Sequence, residues 1–547
     1  MTQATKSIHE NLRFLCVEID SQTANLQSYF YSPASAIAQN IIERGGYAYN
    51  LKMRVHKSCL IALGEIKEDD SKRQYFRSVE FIATNLERIA ELCRDNIKRI
   101  GYLNNTKHLE AETFIEMLER VRQGIKLIEP ALQSNDTHLA IKISQLEAKL
   151  DRDYQKAQQR YITALKLKKH TEDLITSLFI AHNIEQMGDI LLEIGEAIIS
   201  ANLGQALNLE RYHALQASVE QLNKENNLRR VHVKPIAETR SGSMISGIST
   251  SESIEEGYSA IFKEGIKRKV KEERQGVNSW HEIYPGLAPR ILSYKKRGRS
   301  ASLLIEHLPG YTFEQILLNE SPDLLNETLK QLGRTLRSVW RETYTDQPVS
   351  ANFIGQLSKR LDEVYKIHPE FKKGNMHICE QSVPSFGALV SQAQEYEQEL
   401  SAPFSVYIHG DFNIDNIIYD PNEKRINFID LHRSRYMDYV QDVSVFMVSN
   451  YRLQILDEPL RHRIMKLTKD FYRIARRYAK KVNDHTFEQR LALGLARSFA
   501  TSTRFILDKS LAQNMFLRAH YLLSFVLTEG SKRDQNFKVP IKEIFVG

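Results

Sequence analysis

The chain of 547 residues predicts two architectures in series: an all-α N-terminal domain of tandem three-helix bundles over 1–206, and an α+β domain over 231–547. Three observations carry this division. Apolar residues recur at helical spacing through a first third that is poor in proline and glycine. A segment of that region repeats itself at a fixed distance. Between Val406 and Asp442, strand-length apolar runs alternate with a carboxylate, a carboxamide and a second carboxylate.

In the N-terminal part, Leu12, Leu15, Cys16 and Ile19 mark one apolar face, and Leu86, Ile89, Leu92, Cys93 and Ile97 mark another. The segment 81–91, FIATNLERIAE, matches 179–189, FIAHNIEQMGD, at an offset of 98 residues. A unit of that length accommodates three helices, so the repeat predicts two stacked three-helix bundles. Each copy carries acids four residues apart, Glu87 with Glu91 and Glu185 with Asp189. That spacing puts both carboxylates on one helix face, where they repel mildly unless a cation or a facing arginine intervenes.

From 207 to 230 the chain is polar and helix-prone, which predicts a helical connector. Val231, His232 and Val233 then open a strand, and a Ser/Gly-rich turn follows over 239–247. Residues 258–265 read as a further strand carrying Lys263. A helix is expected over 269–284, with Glu273, Val277, Trp280 and Tyr284 on one face. Two more strands are expected at 288–292 and 302–310. Between them Lys295, Lys296, Arg297 and Arg299 form a basic turn. Helices should fill 312–400 and the region from Tyr451 onward.

The segment 406–442 carries the chemistry. Asn416 begins a short strand, Asp420 to Lys424 is turn-forming, and Ile426 and Phe428 alternate along a second strand ending at Asp430. The hairpin brings Asn416 and Asp430 to one edge. Phosphoryl transfer needs Mg²⁺ held against nucleotide phosphates and a group orienting the acceptor hydroxyl. Asp411 can accept the hydroxyl proton, and Asn416 and Asp430 are hard oxygen ligands of the kind Mg²⁺ prefers. His409, Gly410 and Asp411, then Asn416, then Ile429, Asp430 and Leu431 with Arg433, resemble the aminoglycoside phosphotransferase and choline kinase family.

That resemblance implies a bilobal protein-kinase-like fold, with 231–310 as small lobe and 311–547 as large lobe. It implies ATP and Mg²⁺ as cofactors, Asp411 as catalytic base, and Asn416 and Asp430 as metal ligands. Asp442 becomes a structural brace of the catalytic loop, and His409, Arg433 and Asp438 are expected to be structural too. The glycine- and serine-containing turn, with Gly242 and Ser243, takes the place of a phosphate-covering loop. Lys263 is expected to touch the phosphates while held by Glu273, or by Glu272 if the helix register slips by one. Main-chain groups from Glu306 to Leu308 are expected to meet adenine. The acceptor implied is a small hydroxyl compound that the sequence leaves unidentified.

The N-x-E-x-x-x-[ED] helices in tandem bundles are similar to the PhoU family of phosphate-signalling proteins, over about 8–206. This implies a regulatory role, a phosphate-signalling or transport protein as partner, and metal on acids such as Glu87, Glu91, Glu185 and Asp189. The sequence departs from the family pattern at Ala90-Glu91 in the first copy and at Gln186 in the second. Two other readings stay open: a nucleotide-binding adaptor without small-molecule kinase activity, and a metal-dependent scaffold. A homodimer is compatible with all three.

Bulk composition narrows the class. Length alone suggests several domains. A formal charge of +7 is modest for this size, and no arginine-rich arm or basic–aromatic module points to nucleic acid. Cys16, Cys59, Cys93 and Cys379 show no C-x-x-C spacing, which fits a reducing compartment. The N-terminus has no apolar signal core, and no run of about eighteen apolar residues predicts a membrane span. The expected location is the cytoplasm.

Overall fold

The computed structural model describes residues 3–65, 72–204, 206–209, 212–213, 215–216, 231–238, 244–250, 260–297, 300–378, 381–455, 457–530 and 537–546. The chain divides into two compact units, Met1–Glu264 and Gly265–Gly547. Each has its own apolar core. No helix among the described residues is long and apolar enough to cross a membrane.

The first unit begins with helices α1 (Gln3–Tyr31), α2 (Ser35–Glu43), α3 (Gly45–Gly64) and α4 (Lys72–Ile100). It continues with α5 (Ala111–Gln133), α6 (Thr137–Leu165) and α7 (Thr171–Leu203). The second bundle is the expected three-helix unit. In the first, the middle helix is split: α2 and α3, of 9 and 20 residues, meet at Arg44 and stand where the second bundle has the continuous 29-residue α6. The cause is local, because Gly45 and Gly46 at the junction lose backbone entropy and weaken helix continuity.

The repeated segments lie on α4 and α7, which pack on each other, as do α1 and α5. Their apolar stripes are buried, including Ile82, Leu86, Ile89, Cys93 and Ile97 on α4 and Ile180, Ile184, Met187 and Leu191 on α7. A buried amide pair, Asn183 Nδ2 to Asn96 Oδ1 at 3.0 Å, joins the two helices. Most of the expected connector lies outside the described residues. After it come β1 (Val231–Glu238), β2 (Met244–Thr250) and β3 (Ala260–Ile266), paired antiparallel in sequence order. The β3 strand covers the described part of the strand expected over 258–265, whose first two positions lie outside the described residues.

The second unit opens with helix α8 (Lys267–Ile283) and an antiparallel pair, β4 (Ile291–Arg297) and β5 (Ser300–Glu306). A short β6 (Tyr311–Thr312) leads into helices α9 (Phe313–Asn319), α10 (Pro322–Glu342) and α11 (Phe353–Ile367). The region expected to be wholly helical also holds a small pair, β7 (Met376–Ile378) with β8 (Gln381–Val383), before α12 (Phe386–Gln398). Then β9 (Val406–Ile408), β10 (Ile417–Asp420), β11 (Arg425–Phe428) and β12 (Arg435–Met437) bracket the loops of interest.

β10 pairs with β11 and with β6, and β9 pairs with β12. The unit closes with α13 (Val440–Tyr451), α14 (Glu458–Lys481), α15 (Phe487–Ser502), α16 (Lys509–Glu529) and a final turn, α17 (Ile541–Ile544). Every residue of α13 is buried, so this helix is the post against which the loop after β9 is built.

Candidate active site

The hairpin forms, with β10 opening at Ile417, one residue after Asn416, and with Asp420 still on the strand rather than in the turn. Ile417 faces Phe428 and Asp420 faces Arg425. One step beyond the ladder, the Ile429 N–H donates to the Asn416 carbonyl at 3.0 Å, so Asn416 and Asp430 end the same edge. Asp420 closes the turn by accepting from the Asn422 and Glu423 amides at 2.8 and 3.3 Å.

The loop after β9 is held from below. Asp442, in the first turn of α13, accepts from the His409 N–H through Oδ2 and from the Gly410 N–H through Oδ1, both at 2.8 Å. Burial raises the Asp442 carboxyl to about 7, with the two amide donors pulling the other way. Gly410 has φ of +82°, and a Cβ there would lie 2.4 Å from the Arg433 carbonyl oxygen. Only glycine suits that turn.

His409 is 1% exposed. Its Nε2 lies 2.8 Å from the Ile429 carbonyl, and its Nδ1 accepts from the Asp411 N–H at 3.3 Å. The ring is therefore the neutral Nε2–H tautomer, in keeping with burial driving its pKa down. A second chain of bonds runs from Trp280 Nε1 to Ser434 Oγ at 2.8 Å, and from Ser434 Oγ to the His409 carbonyl at 3.2 Å.

Asp411, Asn416 and Asp430 come together on this frame. Asn416 Nδ2 donates to the Asp411 carbonyl at 2.9 Å, and Asn413 Nδ2 donates to Asp411 Oδ1 at 3.0 Å. Arg433 Nη1 stands 3.3 Å from Asp411 Oδ2. Asp430 has φ of +62° and accepts from His432 Nδ1 at 3.3 Å, a contact that raises the His432 pKa. Such left-handed backbone is uncommon outside glycine, asparagine and aspartate, and tends to occur where side-chain direction matters. Asp438 lies apart from this cluster, in a buried ion-pair network with Arg490 and Asp484.

The remaining expected residues are more dispersed. Lys263 lies on β3 in the first unit and Glu273 on α8 in the second, each buried, at 8% and 7% exposure. Glu272 is partly buried and pairs with Arg268 at 3.4 Å. Glu306 directs its carboxylate to the Arg290 amide and Nε at 2.7 and 2.6 Å, and its own N–H to the Arg290 carbonyl at 3.0 Å. Gly242 and Ser243 lie outside the described residues. Two residues near Asp411 escaped the sequence reading: Arg360 on α11 and Arg497 on α15, both of which feel the Asp411 charge. Arg497 did carry a signal, as a lone charge in the apolar run 491–500.

In the helical unit the two copies of the acid pair differ. Glu87 is buried and answered by Lys52 Nζ at 3.3 Å and Arg94 Nη2 at 3.5 Å, while Glu91 is exposed. Glu185 accepts from His182 Nδ1 at 3.0 Å. Burial and the neighbouring acids raise Glu185, Asp189 and Glu147 above the usual carboxylate range, and Asp151 adds to all three.

Comparison with known proteins follows the same division. Residues 279–474 match the phosphotransferase enzyme family, APH. Residues 114–198 match the PhoU domain. Among solved structures, the chain is similar to PhoU from Pseudomonas aeruginosa, at 16% identity over 36% of this chain and 96% of that one, with a TM-score of 0.34. It is similar to choline kinase from Cryptosporidium parvum Iowa II, at 13% identity over 60% and 98% of the two chains, with a TM-score of 0.35. An aminoglycoside-3'-phosphotransferase of type VIII aligns at 18% identity over 52% and 97%, with a TM-score of 0.34. The search of curated proteins finds no match. The chain thus joins a PhoU-like helical region to a phosphotransferase-type region of helices and antiparallel strands.

Proposed function

We propose that the protein is an ATP- and Mg²⁺-dependent phosphotransferase acting on the hydroxyl of a small acceptor, with the helical domain regulating it in a phosphate-linked setting. The observation that carries this reading is the joining of Asp411, Asn416 and Asp430 on a loop and hairpin edge braced by Asp442. The donor set suits magnesium. With Asn416 Nδ2 committed to the Asp411 carbonyl, the hard oxygen Oδ1 has no partner among the described residues, and Asp430 supplies a carboxylate beside it.

Bound Mg-ATP supplies the transferable phosphoryl group and the counter-charge for its oxygens. Asp411 accepts the proton of the acceptor hydroxyl, with Asn413 holding one carboxylate oxygen and Arg433 the other. Neutral His409 fixes the loop through its two ring nitrogens and exchanges no proton. Lys263, with Glu273, is assigned to the nucleotide phosphates. Because the Glu306 amide is engaged by Arg290, the adenine contacts fall to the Glu306 carbonyl and to Leu308. A phosphate-signalling or transport protein is the partner proposed for the helical domain, and the cytoplasm its location.

The test is Mg-dependent ADP release from purified protein against pools of small hydroxyl compounds, with Asp411→Asn as control. Turnover should fall about 10²–10⁴-fold in the variant while Mg-ATP affinity is retained. Tight Mg-ATP binding without Asp411-dependent turnover on any pool would favour a nucleotide-sensing adaptor instead.

A further inference from the structure

We infer that the acceptor is an anion, a hydroxyl compound bearing a phosphate or carboxylate group, bound by Arg497, Arg360 and Arg433 beside Asp411. The inference rests on the phosphotransferase reading and names its substrate class. Arg497 is 5% exposed on α15, among Leu493, Ala496 and Ala500, with Cζ 5.6 Å from the centroid of the Phe353 ring. Its Nε and Nη2 are buried and make no hydrogen bond. A buried guanidinium without partners is strongly unfavourable, and folded proteins rarely leave one in place without a use.

The same helix shows what a structural arginine looks like in this fold. Arg490, seven positions earlier and equally buried, is ion-paired to both Asp438 and Asp484. Those carboxylates hold its charge in place, whereas burial and the neighbouring Arg360 pull Arg497 down to about 9. Arg360, on the facing α11, is lowered by burial and by Arg433. Arg433 in turn contacts Asp411 at 3.3 Å.

Few acids answer these charges. Glu397 faces Arg497 electrostatically, yet its two oxygens are taken by the Phe353 and Ile354 amides and burial raises its pKa. Glu363 is committed to Arg504. A polar bridge, Gln356 Nε2 to Gln441 Oε1 at 3.3 Å and Gln441 Nε2 to the Gly410 carbonyl at 3.4 Å, ties α11 and α13 to the catalytic loop. The wall next to Asp411 is therefore cationic and short of hydrogen-bond acceptors. An oxyanion on the acceptor supplies those acceptors, in the planar bidentate geometry that arginine favours. Amino alcohols and aminoglycosides are repelled by the same wall.

Full-length protein is assayed for Mg-ATP-dependent ADP release with four pools: phosphate-bearing hydroxyl compounds, carboxylate-bearing hydroxyl compounds, neutral polyols, and cationic amino alcohols with aminoglycosides. Stimulation by one of the two anionic pools is expected, and which of them responds identifies the anion. Arg497→Met should raise the KM for that acceptor about 10–100-fold, as befits hydrogen bonds to charged groups, with the Kd for Mg-ATP unchanged. Arg360→Gln, at a half-buried position, should shift KM in the same direction.

Stimulation by the neutral or cationic pool alone overturns the inference and leaves the phosphotransferase standing. A loss of Mg-ATP affinity in the arginine variants, without a change in acceptor KM, also overturns it, because the cluster then serves the nucleotide. A lower Tm for Arg497→Met with unchanged KM marks a structural arginine and overturns it equally. No Asp411-dependent turnover with any pool removes the phosphotransferase reading and this inference together.

Discussion

Helix α8 touches the catalytic segment at a point where no side chain fits. A Cβ built on Gly276 would stand 2.0 Å from the Leu431 carbonyl oxygen and 2.8 Å from its carbon. Both atoms belong to the backbone immediately after Asp430, so neither can rotate aside. Gly276→Ala therefore forces helix and segment apart by about 1.4 Å, the shift that takes the 2.0 Å approach to ordinary contact. Overpacking of this kind costs about 1–3 kcal/mol, and the rigid neighbour puts this site toward the upper end. Better helix propensity returns about 1 kcal/mol, leaving a net loss of about 1–2 kcal/mol.

Function should suffer more, since a misplacement of about 1 Å costs about 10²-fold in rate. Both tryptophans, Trp280 and Trp340, lie in the second unit, so their fluorescence in urea follows that unit alone. Gly387→Ala is the control, because nothing lies within 4 Å of a Cβ at that helical site, and it should stabilise by about 0.4–1 kcal/mol. If Gly276→Ala proves as stable as the control and keeps full Asp411-dependent turnover, the close docking of α8 on the Asp430 segment is wrong.

Two further expectations concern the buried ionisable groups. His409 has a folded pKa below the ordinary 6.5, so the stability its neutral ring contributes is complete above about pH 6.5 and is lost as pH falls. His409→Gln, which keeps a donor for the Ile429 carbonyl, should remove up to about 1.4 kcal/mol per pH unit of that acid-side loss, read as the difference from wild type across pH 5–7. The difference cancels the opposite contribution of Asp442, whose raised pKa favours low pH, and a difference that stays flat with pH would sink the assignment. In the helical unit, Lys52→Met with Arg94→Met leaves Glu87 buried and unanswered, which should cost about 3–5 kcal/mol by far-UV circular dichroism. Adding Glu87→Gln should restore most of it, and failure to do so would mean that the charge was not the cause.

The parts legible in the sequence are those whose signals are local. The Asn416–Asp430 hairpin was readable because turn residues and a period-two apolar pattern sit within fifteen positions of each other. The tandem bundles were readable because the repeat keeps its residue types at a constant offset. Splitting of the middle helix of the first bundle was signalled by Gly45 and Gly46, yet helical periodicity on either side concealed it. Arg360, Arg433 and Arg497 stand far apart in sequence, and only the packing of α11 and α15 about α13 reveals that they share one neighbourhood. The docking of Gly276 was likewise invisible, because a glycine inside a helix reads as a weak position until its tertiary neighbour is known.

The two acid pairs, alike in spacing, differ in how their charge is settled. In the first half the buried member, Glu87, is neutralised internally by Lys52 and Arg94, while Glu91 faces outward. The second has done the reverse, gathering acids that unsettle one another around a histidine. The repeat thus keeps its acid spacing in both copies, while carboxylates raised by burial and mutual repulsion lie on α7.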